Sequence, residues 1–168
     1  MDQIERTERY LDRIRQMYDA VPDRDDAGKY YGDDVASFFM HCYHIRDWII
    51  ELNRVGATRD EVDTFIDEHE DLRVCADLCN RAKHCELHRR TRTGLHPHVA
   101  TMRRTGYQLE DGQAVTTMDF GVMAGEEMYD ALELAESCMQ SWGTFVRQLE
   151  ERAASGQDAD AAADRPSG

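Results

Sequence analysis

The sequence predicts a mainly α protein: a four-helix bundle with a short irregular or β-hairpin insertion before the last helix. Two observations carry this. Apolar residues recur at three- and four-residue steps in four segments, and the period is lost between Thr91 and Gly121, where Gly94, Pro97, Gly106, Gly112 and Gly121 punctuate the chain. A third is composition: 168 residues, 41% hydrophobic and 32% charged, suit one ordinary core. The expected domain is a bundle over residues 1–152, with the insertion at 99–120. Residues 153–168, made mostly of Ala, Asp, Gly and Ser, hold nothing to bury and read as a disordered acidic tail.

The first helix should run from Gln3 to Ala20, with Ile4, Leu11, Ile14, Tyr18 and Val21 on one stripe and Val21-Pro22-Asp23 as its stop. The second should begin near Asp33-Asp34, acids that suit a helix N-terminus, and reach Asn53. Phe38, His41, Ile45, Trp48 and Leu52 share its apolar face, and His44, Asp47 and Glu51 form the neighbouring polar stripe. Gly56 ends it. Thr58 followed by Glu61 has the spacing of a capping box, opening a third helix from Arg59 to about Arg90 with a possible break near His69-Glu70. Its core face is Leu72, Cys75, Cys79 and Ala82; Arg73, Asp77, Arg81, His84 and His88 line up nearly opposite. Glu110-Asp111-Gly112 looks like a turn between strands Met102–Leu109 and Ala114–Phe120. A fourth helix from Glu126 to Arg152 carries Met128, Leu132, Ala135, Cys138, Met139, Trp142, Phe145, Val146 and Leu149, a stripe equally suited to an intramolecular core or a homodimer interface.

No stretch approaches the roughly 20 apolar residues of a membrane span, and Met1-Asp2-Gln3-Ile4-Glu5-Arg6 is not a signal peptide. A cytoplasmic protein without a membrane partner is expected. Five cysteines without a secretory signal argue against a disulfide framework. Cys42, Cys75, Cys79 and Cys138 fall on apolar helix faces, where cysteine behaves as a small hydrophobe.

The net charge of −14 opposes nonspecific nucleic-acid binding. Yet the segment from Arg81 to Arg104 holds Arg81, Lys83, Arg89, Arg90, Arg92, Arg103 and Arg104 against the single acid Glu86. Such a local reversal suits an anionic ligand, RNA or another phosphate-bearing molecule, or an acidic protein partner. It is equally what a solvated helix end and loop look like when they pair with acids elsewhere in the chain.

Along one face of the third helix, Asp77, Asn80 or Arg81, and His84 come on successive turns and offer an acid, an amide or guanidinium, and an imidazole along about 10 Å, with Lys83 next to His84 in the chain. Histidine can move a proton, Arg or Lys can stabilise phosphate charge, and Asn can orient a hydroxyl. A plain solvated face has the same composition. His41 reads as a hydrogen-bonded core histidine. His44, one turn from Asp47, reads as an oriented imidazole or an ordinary surface pair. A metal alternative rests on His84 and His88 at i,i+4, completed by His44 or by His96 or His98. No Glu-x-x-His, HExxH, GxSxG, P-loop or GxGxxG motif is present, and no cofactor is expected.

Two segments, Phe38-Phe39-Met40-His41-Cys42-Tyr43-His44-Ile45-Arg46-Asp47-Trp48 and Cys75-Ala76-Asp77-Leu78-Cys79-Asn80-Arg81-Ala82-Lys83-His84, resemble a group of small uncharacterised bacterial proteins with YHxxDW and DxxNxxKH stretches. More distantly, the layout is similar to the HEPN superfamily of compact, often dimeric helical bundles. Many of these are metal-independent RNases of toxin–antitoxin and phage-defence systems, and some only bind partners. Their motif sets a histidine four to six residues after an arginine; here Arg81 stands three before His84 and Asn80 precedes the arginine. The resemblance implies His84 as general base or acid on a ribose 2′-hydroxyl, Arg81 and Lys83 against phosphorane charge, and Asn80 and Asp77 as orienting groups. Arg89, Arg90, Arg103 and Arg104 would hold the RNA backbone. The alternative function is a non-catalytic interaction module, an antitoxin or accessory subunit; the remaining one is the metal site of His44, His84 and His88.

Overall fold

In the computed structural model, which describes residues 2–23, 27–52, 56–83 and 91–163, the apolar stripes form helices as expected, with one change of architecture. Five helices and four strands are present among the described residues: α1 Asp2–Asp19, β1 Val21–Pro22, α2 Ala27–Leu52, α3 Arg59–Glu68, α4 Glu70–Lys83, β2 His98–Gln108, β3 Ala114–Ala124, β4 Glu127–Asp130 and α5 Ala131–Ala163. The expected four-helix bundle with an insertion is therefore corrected to a mostly helical fold built on a four-stranded antiparallel sheet. No described helix is long and apolar enough to cross a membrane.

The sheet is a wall of the core. β3 pairs along its whole length with β2 on one side. On its other side β1 pairs through Val21↔Thr116 and β4 through Val122↔Tyr129. Met118, Phe120, Val122 and Ala124 alternate inward along β3, as a half-buried strand requires. The first three join Leu11, Ile14, Val35, Phe38, Ile45, Leu72 and Trp142 in one cluster. The Tyr18 hydroxyl ties α1 to the sheet, accepting from the Phe120 N–H (3.0 Å) and donating to Asp130 (3.1 Å). Burial and the nearby Asp130 carboxylate push its pKa up to about 12.

The capping box forms as read: Glu61 N–H donates to Thr58 Oγ1, and Thr58 N–H to the Glu61 carboxylate. These bonds, with Arg152, bring Glu61 down to about 2. The third expected helix breaks at His69, whose backbone turns extended (φ −113°, ψ 115°) while its ring lies 4.0 Å from that of Phe65.

The expected fourth helix is corrected at its start. Ala124-Gly125-Glu126-Glu127 is a tight turn with Gly125 at φ +67°, so residues 127–130 return as β4. The helix begins only where the Asp130 carboxylate accepts the Leu132 and Glu133 N–H groups, an N-cap. It continues to Ala163, past the expected end at Arg152. Its stripe of Leu134, Ala135, Cys138, Trp142, Phe145 and Leu149 is buried within this chain, as an intramolecular core; Met128, on β4, is exposed. A Cβ on Gly125 would lie 3.1 Å from Leu95 Cδ2 in a backbone region that favours glycine. Gly125→Ala should therefore lower stability by about 1–2 kcal/mol, read as a shifted urea midpoint with an unchanged slope.

Candidate functional site

The polar stripe of α2 and the last turns of α4 meet on one face of the molecule. His44 lies between two charges: its Nδ1 is 3.2 Å from Asp47 Oδ2, and its Nε2 accepts from Lys83 Nζ at 2.7 Å. A neutral imidazole with its proton on Nδ1 satisfies both contacts. Beside it, Arg46 grips Asp63 with two parallel hydrogen bonds (2.8 and 2.7 Å) and Asp47 with a third (2.8 Å). Such a fork holds the guanidinium well above its usual range and Asp63 below the usual carboxylate range. Arg92 reaches the same Asp63 (2.6 Å) and Asp67 (2.5 Å).

Arg92 arrives there because Asp77 holds its loop. Helical spacing opposes Asp77 to the core face, and the expected solvated position is corrected: Asp77 is 1% exposed. Residues 91–95 fold over α4, and the carboxylate accepts the Arg92 N–H (2.9 Å), the Thr93 N–H (2.9 Å) and the Thr93 hydroxyl (2.7 Å). Those donors would otherwise be left unpaired beneath the loop. Asp77 is a loop anchor.

The other candidates are divided. Asn80 is half-buried and Arg81 exposed at the end of α4, and Lys83 is engaged by His44. Arg103 pairs with Asp119 across the hairpin (2.6 Å), and Arg104 pairs with Asp23. His84, His88, Arg89 and Arg90 lie outside the described residues, and with them the helical pair of the His44, His84 and His88 metal alternative. Much of the positive charge of this segment thus meets acids of the same chain. His41 is the hydrogen-bonded histidine expected: Gln3 Nε2 lies 3.4 Å from its Nδ1, and Tyr10 stacks on it at 4.9 Å. Burial and the nearby Arg6 and His44 lower its pKa.

Two features escaped sequence reasoning. The first is β2. It pairs with β3 alone among the described residues, so its outer edge presents free backbone groups over eleven residues. Val99, Met102 and Tyr107 stand 39%, 44% and 44% exposed on it. At its start, a cleft of about 330 Å³ is floored by Phe39, Leu78, Ala36 and Val99 and rimmed by Arg81 and His98. A larger cleft of about 580 Å³ is lined by Glu68, Glu70, Asp71, Asp130 and Glu133 and would repel phosphate. The second feature is a convergence of Cys42, Cys75 and Cys138, buried as their apolar faces predict, with all three sulfurs within 4.8 Å of one another. Only their placement on the core faces of three different helices hints at it in the sequence.

No protein-family model, curated protein or solved structure matches this chain.

Proposed function

We propose that this chain is a non-catalytic interaction module that takes an extended segment of a partner protein along the free edge of β2, a segment alternating apolar and acidic residues. The observation that carries the reading is the eleven-residue edge, unpaired among the described residues, with Val99, Met102 and Tyr107 displayed on it. Strand addition draws affinity from main-chain hydrogen bonds and specificity from alternate side chains. β2 carries no acid, and Arg81 and His98 rim the cleft at its start, so acidic partner residues are favoured there. A second copy is disfavoured: an antiparallel copy centred on the strand sets the Arg103-Arg104 pairs against each other. The basic segment is less free for RNA than its charge suggests, because Lys83, Arg92, Arg103 and Arg104 already have partners within the chain.

The test uses a capped synthetic peptide of alternating Val and Glu, titrated against the intact protein. Binding should slow amide exchange in residues 98–108, weaken with added salt, and fall about tenfold or more in the charge-reversed Arg103→Glu, Arg104→Glu double variant. Unchanged exchange along β2 at saturating peptide sinks the reading. In parallel, transfer RNA and a long single-stranded RNA should stay intact with wild type and His84→Ala in excess chelator. Cleavage that survives chelation and vanishes in His84→Ala would replace the interaction module with a metal-independent RNase.

A further inference from the structure

The three converging cysteines come from three separate helices: Cys42 from α2, Cys75 from α4 and Cys138 from α5. Each is at most 1% exposed. Sulfurs bound to one metal at about 2.3 Å in a trigonal plane stand about 4 Å apart, inside the 4.8 Å within which these three sulfurs lie of one another. No His, Asp, Glu or further Cys among the described residues joins the group.

Burial in the apolar core keeps Cys75 and Cys138 protonated in the metal-free protein. Cys75 Sγ lies 3.5 Å from the Phe39 carbonyl and Cys138 Sγ 3.4 Å from the Asp71 carbonyl, acceptors that hold both thiols in place. Trp142 is 1% exposed and its Nε1–H has no nitrogen or oxygen partner, an orphaned donor of the kind that native interiors rarely tolerate.

We infer that Cys42, Cys75 and Cys138 form a closed three-sulfur site for a soft monovalent ion, the cuprous ion. Thiolates select Cu(I), Zn(II) or iron–sulfur clusters, and the clusters take four cysteines. Zinc structural sites take four ligands. Here the described donors number three, and burial leaves no open face for water to supply a fourth. Each thiol that becomes a thiolate ligand gives its proton to solvent, so loading strengthens as pH rises. The bound ion joins α2, α4 and α5 at the middle of the core.

The experiment titrates the reduced, untagged, full-length protein anaerobically with cuprous ion, supplied as its acetonitrile complex, against the competing chelator bicinchoninate. One copper per chain should be withheld from the chelator, the melting temperature should rise, and copper K-edge absorption should show a shell of three sulfurs. Cys75→Ala should lose the copper, whereas Cys79→Ala, one turn along the same helix, should keep it. Because the absorption measurement needs only wild type, the result stands even where a cysteine variant fails to fold. Complete transfer of copper to the chelator by the folded protein overturns the assignment. So does a shell containing nitrogen or oxygen, or retention of Zn(II) in preference to Cu(I).

Discussion

Replacing Asp77 with alanine should destabilise the fold by about 3 kcal/mol and release the loop at 91–95. The carboxylate is buried and accepts from two backbone N–H groups and one hydroxyl. A hydrogen bond to a charged group contributes roughly 1.5–3 kcal/mol, and donors stranded without a partner carry a desolvation cost of similar size. Asp77→Asn should recover only part of the loss, because its amide turns a donor toward donors. Two measurements check this: the urea midpoint, and amide exchange at Arg92, Thr93 and Leu95 under native conditions. Accelerated exchange confined to that loop, with Arg92 leaving Asp63 and Asp67, is the expected signature. Wild-type stability in Asp77→Asn would show that the carboxylate does not anchor the loop and would return it to the candidate catalytic groups.

Trp142→Ala should cost about 4 kcal/mol, the upper range for deleting a large buried aromatic. The indole is among the largest fully buried side chains, and it packs near Phe65 and Phe145 at ring-centroid separations of 6.1 and 6.2 Å. Trp142→Phe should cost much less, because it keeps most of the apolar volume and removes an N–H that no nitrogen or oxygen accepts. The two variants separate packing from hydrogen bonding at one position. Comparable losses in both, by denaturant titration of the copper-free protein, would assign the indole N–H a structural role in the apo fold.

The sequence exposes whatever repeats locally. The apolar periods of α1, α2 and α4 and most of α5, the Thr58–Glu61 capping box, the break near His69 and the Gly112 turn all depend on residues a few positions apart, and each is present. The misreading at Glu126 has a local cause as well. Met128 and Leu132 continue the helical period backward from α5, but Gly125 at positive φ and the Asp130 N-cap outweigh that period and leave Glu127–Asp130 as a strand.

The candidate site was much less legible. Charge counting finds the basic segment, but it cannot show that Arg92 turns back to Asp63 or that Arg104 meets Asp23, partners 29 and 81 positions away. Helical spacing places Asp77 opposite the core face and so on the surface; only a loop beginning fourteen residues later covers it.

The sequence by itself determined which segments are helical, that a hairpin precedes the last helix, and that Cys42, Cys75 and Cys138 are buried, because periodicity and capping act over one or two turns; it set the start of α2 near Asp33, six residues after the observed Ala27, and both ends of α5 wrongly. The tertiary structure alone decided that β3 walls the core, that β2 pairs with no other strand among the described residues, that Asp77 is an anchor and that the three sulfurs converge. Each of these depends on which distant segments pack together, and one local pattern is compatible with many such arrangements.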